Sequence, residues 1–387
     1  MPRIKVENFG PIKSADVEFG DLSIFVGPQA TGKSIFFQLL KFILDPLPIR
    51  RELENYSLFP ENDFPRFLDI YFGEGMASLY NDSTTHVKWN NGEINLRELN
   101  GAKKNGASKQ KEKAFLIPAQ RVLTLQNGMT HPFGDYRLGD PFSVRNFSHK
   151  LHTLLQTWYG DRLFPAGCFN EIFSARLSQN VFGNYMLLRD TNQQKRLVLK
   201  TGRNAPLPYL VWSAGQREFV PLLLGLGWLT PPETDAKRPV DWVMIEELEM
   251  GLHPSAISSV MLLVMELLQR GYRVCLTTHS PHVLDIAWAL RIIKEKKGTA
   301  EDFCNMFKLD LDAGDSSHIK NLANKILKDK STSVHYFTRD GVVKDISALD
   351  PSSDENDEAG WGGLSEFSGH VGDIVARVVN RNEGYSK

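Results

Sequence analysis

Short apolar segments alternate with polar turns along the chain, and the first of them predict three strands followed by a helix. Apolar and polar side chains alternate over Arg3–Phe9 and over Ile12–Phe19, which is the period of a half-buried strand. Leu22–Val26 is apolar apart from Ser23, and the helical segment that follows it reaches about Leu44, just before Pro46. The chain is therefore expected to begin with a β-β-β-α arrangement.

The next part of the chain has a mixed character. Phe67–Phe72 and His86–Trp89 are predicted as strands, and the Asn-Asn-Gly sequence after the second of them is typical of a hairpin turn. The polar stretch Asn100–Lys113 contains five lysines among Gly, Ser and Asn. This composition predicts a mobile loop. Ala114–Pro118 resumes an apolar strand.

Helical spacing then replaces the strand pattern. Phe142–Gln179 places several leucines on one face, which predicts helices. Tyr185–Arg189 and Arg196–Lys200 predict a pair of strands joined by a polar turn at Thr191–Gln194. This region is expected to form a helical lobe with a small β-sheet.

A β-α-β unit follows in the second half of the chain. Val243–Ile245 and Val274–Thr277 have the composition of short buried strands, and Ser255–Gln269 between them is predicted as a helix. Such a unit normally contributes two parallel strands to one sheet. We therefore predict an α/β fold.

Composition excludes several classes of protein. The 387 residues include 45 basic and 46 acidic side chains, so overall charge does not indicate a nucleic-acid-binding protein. Cys168, Cys275 and Cys304 lack the spacing of metal ligands and are expected to be reduced thiols. Apolar runs of membrane-spanning length and a signal-peptide pattern are absent from the sequence. The sequence predicts a soluble cytoplasmic protein with no membrane partner.

The loop after Leu22–Val26 fits the phosphate-binding pattern G-x-x-x-x-G-K-[S/T] at every fixed position. Glycines allow backbone N–H groups to turn toward phosphates, Lys33 can reach the β- and γ-phosphates, and Ser34 can bind Mg²⁺. A chance match is expected in on the order of one chain per hundred, and the strand–loop–helix context makes chance less probable. The chain is predicted to bind a nucleoside triphosphate through Gly27, Pro28, Gln29, Ala30, Thr31, Gly32, Lys33 and Ser34.

Two later motifs follow buried strands and suit the same chemistry. Glu246 can hold Mg²⁺ and Glu247 can orient or deprotonate the attacking water, although two solvated carboxylates at a strand end are an equally ordinary arrangement. His279 can bind the γ-phosphate, or it can simply precede the helix that Ser280 and Pro281 begin.

A third motif begins a helix at Ser213. Its hydroxyl and the backbone N–H of Gly215 are suited to contact a phosphate. Taken alone, the motif is better explained as a capping box, in which Ser213 and Gln216 satisfy each other's backbone N–H groups.

Together these motifs resemble those of ABC-type ATPases of the RecF, SMC and OLD kind, in particular the compact OLD-like ATPases of bacterial anti-phage and toxin systems. The resemblance covers both ends of the ATPase core and leaves out residues 46 to 205. It is carried by Val6–Ile12, Val26–Ser34, Ser213–Gln216, Ile245–Pro254 and Thr278–Pro281.

The resemblance implies an ABC-ATPase-like P-loop fold with a mixed sheet, an inserted β-rich arm and a helical lobe. The implied ATPase core comprises residues 1–45 and 206–300, with the inserted arm and lobe at 46–205 and a C-terminal extension at 301–387 packing on the core. It also implies ATP and Mg²⁺ as ligands.

By the same resemblance, Ser213, Gly215 and Gln216 form the signature motif, which would contact ATP bound to a second copy of the chain. Gln120 would be the Q-loop ligand of Mg²⁺, with neighbouring Arg121 as the alternative functional residue. The nucleotide-binding residues would also include Phe36. Leu252-His253-Pro254 takes the place of the D-loop.

The chain departs from the family pattern in ways that predict slow turnover. Glu246 stands where the family usually has Asp, the signature lacks its leading Leu and second Gly, and Leu248 replaces a common Pro. These changes leave nucleotide binding intact and bear on the rate of hydrolysis.

The sequence therefore predicts an ATP-hydrolysing switch that dimerises head-to-tail and controls a separate effector, a nuclease or toxin, because no nuclease motif is visible in it. One alternative is a RecF-like DNA-binding protein, supported only by the lysine-rich stretch between Lys103 and Lys113. The other is an ATP-sensing scaffold without hydrolysis.

Overall fold

The computed structural model describes residues 1–101, 110–157, 168–190, 196–202, 206–231, 238–309 and 316–383. Most of the lysine-rich stretch, the turn Thr191–Gln194 and part of the predicted helical region after Thr157 lie outside the described residues.

The described strands and helices follow the order expected of an α/β protein. The strands are β1 (Arg3–Phe9), β2 (Ile12–Glu18), β3 (Leu22–Val26), β4 (His86–Trp89), β5 (Gly92–Glu93), β6 (Ala114–Ile117), β7 (Leu125–Gln126), β8 (Met129–Thr130), β9 (Met186–Arg189), β10 (Leu197–Lys200), β11 (Trp242–Ile245), β12 (Arg273–Thr277), β13 (Thr332–Phe337) and β14 (Val343–Asp345). The helices are α1 (Lys33–Leu44), α2 (Pro46–Asn55), α3 (Phe64–Phe72), α4 (Leu96–Gly101), α5 (Phe142–Thr157), α6 (Glu171–Leu177), α7 (Ala214–Leu229), α8 (Pro254–Gln269), α9 (Pro281–Glu295), α10 (Ala300–Met306), α11 (Ser316–Asp329), α12 (Asn356–Ala359) and α13 (Glu366–Glu383).

A six-stranded sheet forms the centre of the molecule, in the order β14-β13-β3-β12-β11-β6. All of its neighbouring pairs are parallel except β13 with β14. Side chains alternate between two hydrophobic cores: Ile24 and Val26 face one, and Phe25 between them faces the other. The sheet is thus buried on both faces around β3, β6, β11 and β12, which explains why these strands are mostly apolar rather than alternating.

A second, antiparallel sheet in the order β2-β1-β4-β5 packs on the α1 side of the central sheet. The predicted strand pairs β1–β2 and β9–β10, the hairpin after β4, the β11-α8-β12 unit and the helix beginning at Pro281 are confirmed. Cys168, Cys275 and Cys304 are buried free thiols.

The predicted strand at Phe67–Phe72 is wrong, because these residues lie in α3. The carboxylate of Asp63 caps this helix by accepting a hydrogen bond from the N–H of Arg66 at 3.0 Å, and Pro65 stands in its first turn. Nearly every side chain of the segment is buried. The helical period is visible only when the segment is extended to Phe64, because the less buried Pro65, Arg66 and Asp69 share one face and the buried Phe64, Phe67, Leu68 and Tyr71 share the other. The shorter segment from Phe67 contains a single polar residue, so it resembles a buried strand.

The central sheet also draws on all three predicted parts of the chain. Strand β6 comes from the predicted insertion, and β13 comes from the predicted C-terminal extension and pairs directly with β3. The third part of the chain therefore completes the sheet instead of only packing on it. The boundaries of the predicted parts stay a prediction.

Among the described residues, no helix has both the length and the apolar composition that crossing a bilayer requires. α13 is amphipathic, and its exposed apolar residues include Phe367 and Val375.

Candidate nucleotide-binding site

The predicted functional residues follow adjacent strands at one edge of the central sheet. The P-loop follows β3, His279 follows β12, the pair Glu246-Glu247 follows β11, and Gln120 follows β6. Because these four strands are parallel neighbours, their carboxyl ends meet at the same edge. This is where open α/β sheets usually bind ligands.

The P-loop backbone needs glycine at its first and sixth positions. Gly27 has a φ of 141°, and a β-carbon there would lie 2.3 Å from the carbonyl oxygen of Phe337, at the end of β13. Gly32 has a φ of 97°, and a β-carbon there would lie 2.9 Å from Pro11 in the β1–β2 turn. The end of β13 and the β1–β2 turn thus pack closely on the loop, and a larger residue at either glycine would force the loop outward.

Lys33 is buried inside the loop. Its Nζ donates to the carbonyl oxygens of Gly27 at 2.8 Å and Pro28 at 2.7 Å. Burial lowers the pKa of this ammonium to about 8, against the opposing effect of the carboxylates of Glu247, Glu246 and Glu249. Such a weakly solvated cation, enclosed by polar backbone groups, can exchange its carbonyl partners for phosphate oxygens.

Glu246 is 2% exposed and lies against the P-loop helix. Its Oε2 accepts a hydrogen bond from the N–H of Ala119 at 3.0 Å. Burial raises the pKa of Glu246 to about 7, although the N–H of Ala119 and the nearby hydroxyl of Ser34 act in the opposite direction. A hydroxyl close to a buried carboxylate is the type of oxygen donor set that suits Mg²⁺, so these residues fit that ion.

Glu247 adopts a left-handed conformation with a φ of 44°. Its N–H donates to Thr277 Oγ1 at 2.9 Å, and its carbonyl oxygen accepts from the guanidinium of Arg121 at 2.9 Å. Left-handed backbone is uncommon outside glycine, so this conformation depends on the groups that hold it. The side chain is half-buried beside Lys33.

His279 lies in the same electrostatic environment. Burial lowers its pKa, the positive charge of Lys33 lowers it further, and Glu247 and Glu249 act in the opposite direction. Its backbone N–H donates to Oε1 of Glu249 at 2.5 Å. The structure therefore brings together Lys33, Ser34, Glu246, Glu247 and His279.

The Ser213 turn forms the capping box that its sequence suggests. The N–H of Gln216 donates to Ser213 Oγ at 3.2 Å, and Gln216 Oε1 accepts from the N–H of Ser213 at 3.1 Å. The Ser213 side chain is nevertheless exposed. The polar contacts that the structure gives it lie within its own helix, so the predicted role on a second copy's ATP stays a prediction.

Two predicted residues have different surroundings from the rest. The side chain of Phe36 is fully buried and packs on Phe25 and Phe337, so its described contacts belong to the hydrophobic core. Gln120 is exposed at the start of a single 3-10 turn, whereas the adjacent Arg121 is fully buried.

Sequence reasoning did not identify Ala119, Thr277 or Glu249, which hold Glu246, Glu247 and His279 in place. Ala119 and Thr277 act from strand ends next to the motifs. Only strand order, which the sequence does not provide, would have pointed to them.

Part of the chain that carries these residues matches a known family. Residues 176–285 match the family described as "AAA domain, putative AbiEii toxin, Type IV TA system". The matched segment contains Ser213, Glu246, Glu247 and His279 and lies downstream of the P-loop. Over these residues, which make up less than a third of the chain, the protein is similar to that family.

Individual proteins show more limited similarity to the chain. The Old nuclease of Escherichia phage P2 is 33% identical over 81 residues, which cover 20% of this chain and 14% of that protein. The SMC head domain from Thermotoga maritima aligns over 73% of this chain and 90% of its own at 12% identity and a TM-score of 0.35. A dimeric bacterial ABC transporter cassette aligns over 88% and 96% at 10% identity and a TM-score of 0.36.

Proposed function

We propose that this chain binds ATP with Mg²⁺, hydrolyses it, and uses the cycle as a switch that controls a separate effector protein. The observation that carries the proposal is the meeting of Lys33, the Ser34–Glu246 pair, Glu247 and His279 at the carboxyl edge of four adjacent strands. Each group has a distinct part in phosphoryl transfer to water.

The P-loop would bind the phosphates through its backbone N–H groups and the α1 N-terminus, with Lys33 at the β- and γ-phosphates. Ser34 and Glu246 would hold Mg²⁺, which neutralises developing negative charge when bound. Glu247 would orient the attacking water and accept its proton. His279 would donate a hydrogen bond to the γ-phosphate.

Two copies would close head-to-tail over two nucleotides, each presenting its Ser213 turn to the other's ATP. The exposure of Ser213 and the bare backbone of Gly215 support this arrangement. The effector would be a nuclease or a toxin of a bacterial anti-phage system. The description of the matched family, which names a toxin system, supports that setting.

Three variants test the ATPase proposal. Lys33→Ala should strongly weaken ATP binding, and Glu247→Gln should keep binding but reduce phosphate release on the order of 100-fold or more. ATP should convert Glu247→Gln into a stable dimer in sedimentation experiments, and Ser213→Arg should block that dimer while preserving binding. Glu355→Gln, an exposed carboxylate far along the chain, is the control. Wild-type hydrolysis and self-association in both Lys33→Ala and Glu247→Gln would refute the proposal.

The effector is tested by co-expressing the chain with the product of the adjacent gene. Nuclease or toxin activity of that product should change between the wild type and Glu247→Gln. If the product has the same activity with the wild type, with Glu247→Gln and in the absence of this chain, control by this switch is refuted.

A further inference from the structure

Arg121 is a fully buried arginine whose guanidinium contacts three backbone carbonyl oxygens. Nε donates to Glu218 at 3.0 Å, and the two terminal nitrogens donate to Glu246 at 2.8 Å and to Glu247 at 2.9 Å. A buried charge is tolerated only when it is well hydrogen-bonded. The planar guanidinium presents its donors in fixed directions, so it defines the relative positions of the three carbonyl groups.

These carbonyl groups belong to two elements that are distant in sequence. Glu218 lies early in α7, the helix that Ser213 caps, while Glu246 and Glu247 follow β11. The two elements also touch directly, since a β-carbon on Gly215 would lie 2.4 Å from the carbonyl oxygen of Gly251. The beginning of α7 and the turn that carries the acidic pair therefore form one packed unit, with Arg121 bonded to both sides.

The bond to Glu247 acts on a strained residue. Its left-handed backbone is held on one side by Thr277 and on the other by Arg121. Loss of the Arg121 bond would free the peptide that follows Glu247, and a relaxed φ would turn the carboxylate in a new direction.

We propose that Arg121 is a positioning residue that aims Glu247 for hydrolysis and transmits displacements of α7 to it. When the Ser213 turn engages a second copy's nucleotide, α7 shifts, and the guanidinium carries that shift to the peptide of Glu247. Hydrolysis is thereby made dependent on dimer closure. The inference rests on the proposed ATPase function and adds the internal link that regulates it.

The substitution Arg121→Lys separates this role from general stability. It keeps the positive charge but replaces the planar fork with a single ammonium group, which cannot hold all three carbonyl groups in the same geometry. The matched control is Arg145→Lys. Arg145 is also fully buried, donates to the carbonyl oxygen of Ile70 at 2.7 Å, and lies over the ring of Phe133.

The experiment compares Arg121→Lys with Arg145→Lys for kcat, ATP dissociation constant and melting temperature. Arg121→Lys should lower kcat on the order of 10- to 100-fold with ATP affinity within about twofold of wild type. Arg145→Lys should lower the melting temperature and leave the kcat of folded protein unchanged.

Hydrogen–deuterium exchange gives a readout independent of turnover. In the Glu247→Gln background, ATP should protect peptides covering residues 214–222 and 243–251 together. Adding Arg121→Lys should leave protection of the first peptide and remove that of the second.

Three results would overturn the inference and leave the proposed function standing. The first is a wild-type kcat in Arg121→Lys, and the second is an equal loss of kcat in the two arginine variants. The third is that ATP still protects both peptides from exchange when Arg121→Lys is present. Absence of ATP turnover in the wild type would overturn both.

Discussion

The ammonium group of Lys33 and the carbonyl oxygen of Gly27 are hydrogen-bonded at 2.8 Å, so the lysine of the P-loop folds back on its first glycine. The same ammonium bonds to Pro28. The loop is therefore closed around its own lysine, and burial within it lowers the pKa of Lys33 to about 8.

Affinity for ATP should fall as the pH rises through 8. A triphosphate favours the charged ammonium, and the neutral amine becomes the main form of the free protein above the lowered pKa. The dissociation constant of a non-hydrolysable ATP analogue at fixed free Mg²⁺ should rise on the order of tenfold between about pH 7 and 9.5. Calorimetry of the wild type and Lys33→Met checks this. The variant should bind weakly without that pH dependence, and a flat wild-type profile would contradict the prediction.

Gly215→Ala should destabilise the protein. Its new β-carbon would meet the carbonyl oxygen of Gly251 at 2.4 Å, and both partners are backbone, so relief requires moving α7 or the acidic turn. We expect a loss of about 1–3 kcal/mol in unfolding free energy. Gly369→Ala is the control, because a β-carbon there meets nothing within 4 Å. Gly369→Ala should leave the unfolding free energy unchanged or raise it slightly. Equal urea midpoints for the two variants would argue against the contact.

The sequence predicted most of this site because a phosphate-binding loop, an acidic pair and a post-strand histidine are local features. Each is defined by a few consecutive residues and its neighbouring strand. Lys33, Glu246, Glu247 and His279 accordingly lie together as the motifs implied.

Most of the features of the site and the fold that the sequence did not predict depend on contacts between distant segments. Arg121 acquires its position only because β6 lies next to β11, and β13 joins the sheet beside β3 although about three hundred residues separate them. The misassigned helix α3 has a different cause. Its apolar residues recur at helical spacing, but the exposed Pro65 and Arg66 that reveal this spacing lie before the segment predicted as a strand.

Glu246 should make the metal-free protein less stable as the pH rises. Burial raises its folded pKa to about 7, above the unfolded value. The folded state therefore binds more protons between these values, and unfolding free energy declines as pH increases from about 4.5 through 7. In EDTA, Glu246→Gln should exceed the wild type in stability by about 1–3 kcal/mol at pH 8 and by much less at pH 5. Thermal unfolding at both pH values checks this, and a pH-independent difference would contradict it.

A buried charge network joins the P-loop helix to α5. Glu112 lies between Lys41 of α1 and Lys150 of α5, and Lys41 also bonds to Asp45 at 2.7 Å. Burial alone would raise the pKa of Glu112, but Lys150 and Lys41 outweigh it and lower the pKa to about 2. The charged carboxylate therefore stabilises the folded state fully above the unfolded pKa, and that stabilisation is lost as pH falls from about 4.5 toward 2.

Glu112→Gln should therefore lower unfolding free energy by about 2–3 kcal/mol at pH 7, because the buried ammonium of Lys41 and the partly buried ammonium of Lys150 lose their shared partner. The deficit should shrink below about pH 4.5, where the wild-type carboxylate loses its advantage. Urea unfolding at pH 7, 5 and 4 measures both effects. Glu93→Gln is the control, since that carboxylate is 60% exposed beside Lys88, and such surface pairs contribute little. If both variants lose the same unfolding free energy at pH 7, the network between α1 and α5 does not contribute more to stability than a surface ion pair.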